Sequence, residues 1–312
     1  MADPFAGIIG QARAVSVLRR ALAAGRLSHA VLFVGPAGTG RRTVAEALLT
    51  AFFGGTPDTN PDFIRVGVLS DEKTGKEKSG VSVDQVRDVV ERFSLSSFSG
   101  KKAVFVEEAE RLTVQAANAL LKTLEEPRGD ALLVLRAPSV ESVPATVVSR
   151  CQVVRLHPCP RAELAAALGV RGLAPDDALH LAALSRGRPG RALALLRDGA
   201  ARAASDVGFS GFVDAFGADP AARSARASAL IPKDEASRAS AFADTLDAWE
   251  DGLRDALLAS AGCADLASRP WEDLRGLNAA DWPARLRALS DVRRDLVHHV
   301  NPQLALEHIL FA

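Results

Sequence analysis

Residues Val31-Leu32-Phe33-Val34 run directly into Gly35-Pro36-Ala37-Gly38-Thr39-Gly40-Arg41-Arg42-Thr43. The apolar run suits a strand buried on both faces. Gly35, Gly38 and Gly40 supply a turn whose backbone N–H groups can point inward at an anion, and Thr43 to Leu49 gives a helix with Val44, Leu48 and Leu49 on one side. Strand, glycine turn and helix N-terminus together form a phosphate-binding loop, which belongs at the carboxyl end of a parallel sheet.

The frame matches G-x-x-x-x-G-K-[ST] from Gly35 to Gly40 and departs after it. Arg41 stands at the lysine position, where a wide planar guanidinium does not replace a compact ammonium. Arg42 stands at the hydroxyl position, and Thr43 comes one residue late, about 100° round the helix from where Mg²⁺ would sit. Two readings stay open on these residues alone: a strand-to-helix turn without a ligand, and a nucleotide site that has lost its chemistry.

The alternation of strand-like and helix-like segments continues through the first half, as in a parallel sheet covered by helices. Strands are expected at Asp62 to Val66, Ala103 to Val106 and Ala131 to Leu135, with Gln152 to Leu156 beyond a last turn. Helices are expected over Ala12 to Ala24, Val83 to Phe93 with Ser82 as its cap, and Gln115 to Glu126. Ser70 to Gly80 has charge, glycine and no apolar residue, and reads as an exposed loop. From Arg161 onward the pattern is helical, broken at Gly169 to Pro175, Gly187 to Gly190 and Gly262 to Pro270. Leu286, Leu289, Val292, Leu296 and Val300 form an apolar stripe, which most often means core.

A chain of 312 residues with 48% hydrophobic content holds more than one core. A formal net charge of zero argues against a globally basic DNA-binding protein. Cys151, Cys159 and Cys263 are too few and scattered for a disulfide framework or a four-ligand zinc site. With no signal-like N-terminus and no membrane-length apolar stretch, a soluble cytoplasmic protein is expected.

After the strand at Val104 come Glu107-Glu108-Ala109-Glu110-Arg111-Leu112 and then Ala116-Ala117-Asn118-Ala119-Leu120-Leu121-Lys122-Thr123-Leu124-Glu125-Glu126-Pro127, with Ser149-Arg150-Cys151 further on. In order and spacing, together with Gly10-Gln11, His29-Ala30 and Gly187-Arg188-Pro189-Gly190-Arg191, these resemble the clamp-loader branch of the AAA+ ATPases. The likeness covers about two-thirds of the chain by motif. It implies an α/β AAA+ domain of the P-loop NTPase type over residues 1–158, a small helical lid over 159–203 and an all-α collar over 204–312.

The resemblance also implies roles. Glu107 stands where active members keep an Mg²⁺-binding aspartate, and Glu108 where they keep the water-polarising glutamate. A polar sensor is expected where Ala137-Pro138 fall, and a sensing arginine where Gly190 falls, with Arg191 one step off. Those departures, with Arg41 and Arg42, point to a branch member that resembles an ATPase without working as one. Gly35, Gly38, Gly40, Arg41, Arg42, Thr43, Glu107 and Glu108 would then be a degenerate nucleotide site with at most vestigial ATP binding. Arg150 matches the branch's arginine finger, which acts on the nucleotide of a neighbouring subunit. The four-cysteine zinc module of many relatives is replaced by a short Phe52 to Phe63 connection, so no zinc and no resident cofactor is expected. The implied partners are the gamma/tau and delta loader subunits, with the sliding clamp and primed DNA reached through the complex and no membrane. An active gamma/tau-type ATPase and a stand-alone DNA-binding AAA+ protein are the alternatives.

Overall fold

The computed structural model describes residues 3–69, 80–232, 235–268, 282–295 and 300–312. Residues 70–79 of the expected loop and Leu296 of the apolar stripe lie outside them. The chain divides into two compact units, residues 1–172 with 187–191, and residues 173–186 with 192–312.

The first unit is built on β1 (Ala30–Val34), β2 (Phe63–Val66), β3 (Lys101–Val106), β4 (Asp130–Ala137) and β5 (Gln152–Arg155). They form one parallel sheet in the order β2-β3-β4-β1-β5. Successive residues of a strand face opposite layers. Ala30, Leu32 and Val34 accordingly join one core with Val104, Val106, Leu133 and Leu135, while Val31 and Phe33 join the other with Ala103, Phe105, Leu132 and Val134. The first core is closed by α3 (Val83–Ser94) and α4 (Val114–Glu125), the second by α1 (Ala12–Ala23) and α2 (Arg41–Phe53). This is the AAA+ class expected for the first domain, followed by a helical C-terminal region.

Local chemistry explains the boundaries. Ser82 Oγ accepts from the Gln85 N–H at 3.3 Å while the Gln85 side chain accepts from the Ser82 N–H at 3.0 Å, a reciprocal cap of which the sequence reading had only the serine. At the other end of α3 the buried Lys102 ammonium donates to the carbonyls of Phe93 and Leu95, where a helix favours positive charge. Because β1 connects across β4 and β3 to β2, while β4 connects across β1 to β5, the crevice at the carboxyl ends of β1 and β4 is a topological switch point. The glycine loop lies there.

Helices α6 (Arg161–Gly169), α7 (Pro175–Leu184) and α8 (Pro189–Arg197) follow, then α9 (Gly199–Gly217), α10 (Pro220–Ala229), α11 (Glu235–Ser260), α12 (Trp282–Asp295) and α13 (Pro302–Phe311). One expectation needs correction. Gly190 is not a break, because Pro189 opens α8 with its fixed φ and missing N–H, and Gly190 stands in the first turn. The core of the second unit is aromatic: Phe212, Phe216, Trp249 and Trp282 pack with Leu289, Val292, Leu306 and Ile309. The stripe residues Leu289 and Val292 are buried in it, with Leu286 and Val300 packed alongside. Gly252 of α11 makes room for Phe212, since a Cβ there would lie 2.4 Å from the ring.

Candidate functional site

The loop between β1 and α2 has the backbone of a phosphate loop. Gly38 (φ +80°) and Gly40 (φ +95°) take left-handed conformations that favour glycine, and the Gly35 N–H donates to Pro138 O at 3.2 Å, tying the loop to the end of β4. Its apex is covered by the chain itself. The Gly190 N–H donates to Gly38 O at 2.7 Å, and a Cβ on Gly190 would lie 3.0 Å from that oxygen and 3.1 Å from Gly38 Cα. Backbone thus packs against the loop at the position where the family resemblance expects a sensing arginine. Arg191 is also close, its N–H nitrogen 3.1 Å from where a Gly38 Cβ would be.

The two loop arginines go to different places. Arg41 turns inward, its Nη1 buried without a hydrogen-bond partner, and burial, then the nearby Arg136, hold its pKa below the usual value against the pull of Glu110. Arg136 Nε and Glu110 Oε2 are likewise buried and unpartnered. Burial pushes the Glu110 carboxyl up, with Arg41 and Arg136 pulling the other way. This group of two guanidiniums and one carboxylate was not picked out from sequence. Its signals were a charge after the apolar run Ala131 to Leu135 of β4 and a third acid after Glu107-Glu108.

Arg42 turns outward along α2. Its Nε donates to Glu46 Oε1 at 2.8 Å, and its Nη1 lies 3.7 Å from Glu107 Oε1. The bond to Glu46 chiefly raises its pKa, with Glu107 adding to the effect. Arg65 of β2, which sequence reasoning also missed, donates to the same Glu107 oxygen at 2.8 Å, to Glu46 at 3.3 Å and to Asp58 at 3.0 Å. Burial lowers its pKa, but the bonds to Asp58 and Glu107 outweigh it. Glu108 pairs with Arg111 at 3.7 Å, and Thr43 is exposed. The structure therefore pairs Arg42 with Glu107, sets Arg41 near Glu110 without an ion pair between them among the described contacts, and pairs Glu108 with Arg111.

A divalent cation in a phosphate-loop site is held by the loop hydroxyl and an acid at the end of a nearby strand. Here the first is a guanidinium and the second is already paired to two, so these residues do not fit the ion. Among the described residues no group of three His, Cys, Asp or Glu side chains could hold a metal ion.

Arg150 follows α5 (Ala145–Val148). Its Nε donates to Glu125 Oε1 at 2.7 Å, its Nη2 pairs with the same oxygen, and its Nη1 donates to Thr146 O at 2.9 Å and Ser149 Oγ at 3.3 Å. Ser149 Oγ donates to Thr146 O at 3.1 Å. Cys151 packs partly buried beside the first core, its thiol pushed up to about 12 by burial. Ser149-Arg150-Cys151 is thus a turn that holds one guanidinium against the glutamate of Leu124-Glu125-Glu126-Pro127.

A family model described as "DNA polymerase III, delta subunit" matches residues 10–160, which span the whole sheet and the Ser149-Arg150-Cys151 turn. Over those residues the chain is similar to that family. Among its relatives are the DNA polymerase III subunits delta-prime of Haemophilus influenzae, 40% identical over 144 residues (45% of this chain, 42% of that one), and of Pseudomonas aeruginosa, 37% identical over 183 residues (52% and 54%). The subunit tau of Bacillus subtilis is 32% identical over 157 residues (47% and 28%). The chain spans about half the length of the delta-prime relatives it matches. A gamma-subunit-related protein from Thermotoga maritima covers 94% of this chain and 97% of its own at 17% identity, with a TM-score of 0.46. The resemblance read from the sequence is therefore to delta-prime subunits in particular. Among the described residues no helix is long and apolar enough to cross a membrane.

Proposed function

We propose that the chain works as a delta-prime-like subunit of a bacterial clamp loader, contributing shape and an arginine finger rather than ATP hydrolysis. The observation that carries this reading is the fate of the loop cations. Arg42 replaces the metal-binding hydroxyl and is committed to Glu46 and Glu107, while Gly190 backbone packs on Gly38. A gamma/tau-type ATPase needs the opposite: a free loop, a lysine and a hydroxyl. Similarity to a tau subunit at 32% identity fits a shared fold and does not restore those groups.

In this reading residues 1–158, 159–203 and 204–312 act as the AAA+ domain, lid and collar. Arg150 reaches the nucleotide of a neighbouring ATPase, and gamma/tau and delta subunits are the partners, through which the clamp and primed DNA are met. No zinc or other resident cofactor takes part, and any ATP binding is vestigial. Mixing the full chain with gamma/tau and delta subunits and weighing the assembly tests the partnership; a mass that excludes this chain refutes it. A steady-state assay of the chain alone tests its silence. Mg²⁺-dependent turnover near ~1 s⁻¹, ordinary for a slow enzyme, and abolished by Glu108→Gln would assign it to the active type.

A further inference from the structure

In a phosphate-loop site the divalent cation neutralises charge between the loop hydroxyl and the strand-end acid. Here Arg42 occupies the first position, and Glu107, whose side chain is only 18% exposed, occupies the second. The Glu107 Oε1 that would face the ion has Arg65 Nη1 at 2.8 Å and Arg42 Nη1 at 3.7 Å. Those two guanidiniums are fixed from behind. Glu46 Oε1 accepts from Arg42 Nε at 2.8 Å and lies 3.3 Å from Arg65 Nη1, while Asp58 receives Arg65 Nη2 at 3.0 Å. The Arg65 guanidinium is further placed over the rings of Phe63 and Phe105, each 5.4 Å away. Three carboxylates are thus balanced by two permanent cations supplied by two separate elements, α2 and β2.

We propose that Arg42 and Arg65 form a built-in cation pair that takes over the charge role of the divalent ion at Glu107, so that this site accepts no divalent metal, with or without a nucleotide. The inference rests on reading the loop as a degenerate nucleotide site. It goes further than loss of a lysine and a hydroxyl: the site has not been left with a vacant acid, but refilled with guanidinium. Restoring Lys and Ser in the loop alone would then leave Arg65 still on Glu107.

The test uses Mn²⁺ as the probe and electron paramagnetic resonance of the full chain, with and without ADP. The natural chain is expected to leave Mn²⁺ free. Arg42→Ser with Arg65→Gln restores a loop hydroxyl and frees Glu107 of both cations, and should bind Mn²⁺ at least ~10-fold more tightly, the scale of removing a like charge from a partly solvated site. Adding Glu107→Gln should reverse the gain. Should the double variant not fold, Arg65→Gln alone carries the same prediction, because it takes from Glu107 its nearest cation, 2.8 Å away, and leaves the loop unchanged. The proposal is overturned if the natural chain binds Mn²⁺ and Glu107→Gln abolishes it, or if a folded variant gains nothing. Both outcomes are read on the isolated chain, whereas the clamp-loader reading stands or falls on assembly with other subunits.

Discussion

Truncating Arg150 to alanine separates a role in chemistry from a role in folding, because the structure sets the folding cost low. The Arg150 and Glu125 side chains are 31% and 48% exposed, so their ion pair contributes about 0–1 kcal/mol. The bond from Nη1 to Thr146 O adds about 0.5–1.5 kcal/mol. The carbonyl left behind still accepts from Ser149 Oγ, so it is not stranded. A loss of about 1–2 kcal/mol lowers a melting temperature by only a few degrees in a domain of this size. By contrast, arginine fingers in phosphoryl transfer contribute about 10³ to 10⁵ in rate. The assay is single-turnover ATP hydrolysis in a reconstituted loader in which only the site facing this chain retains its catalytic glutamate. Arg150→Ala should assemble normally and lose most of that site's rate. A Glu125→Gln variant keeps the guanidinium and loses the charge that holds it, so it should assemble and retain far more activity. Equal single-site rates for natural and Arg150→Ala chains would show the guanidinium to be structural.

Two further predictions concern stability. Gly252→Ala puts a methyl 2.4 Å from the Phe212 ring, so overpacking of about 1–3 kcal/mol should outweigh the roughly 1 kcal/mol of helix propensity gained, visible as a lower urea midpoint; an unchanged or raised midpoint would mean that Phe212 has room to move. Glu110→Gln should stabilise the chain at neutral pH, because burial raises the carboxyl's pKa and a raised acid costs stability while ionised, above its folded pKa. That cost disappears below the unfolded value near about 4.3, so the gain over the natural chain should shrink as pH falls toward 4, and a gain independent of pH would refute the assignment.

The fold was legible because each of its signals is local. Buried strands appear as apolar runs, and Ser82 marks where a helix starts. Glycines at positive φ mark the loop on which the switch point is built. The departures at Arg41 and Arg42 were also visible by position alone. What position could not supply was direction. Adjacent residues at the start of a helix project about 100° apart, and here that angle sends Arg41 into a buried group with Arg136 and Glu110 and sends Arg42 out to Glu46 and Glu107.

The partners that give those arginines their meaning are distant in sequence, and each is set by strand register. In the parallel pairing of β2 with β3, Arg65 lies opposite Phe105, two residues before Glu107, and the Glu107 N–H donates to Val66 O at 2.8 Å. The backbone thereby holds the guanidinium and the carboxylate side by side. In the pairing of β1 with β4, Arg136 lies opposite Phe33, just short of the glycine loop. Neither arginine stands out in a chain where most of the basic residues are arginine. Composition hid them, and the sheet gives them their roles, so a one-residue slip of β2 against β3 would turn Arg65 to the opposite layer and leave Glu107 without its nearest cation. The proposed exclusion of metal therefore rests on the sheet register as much as on the loop, which is why changing the loop alone should not bring the ion back.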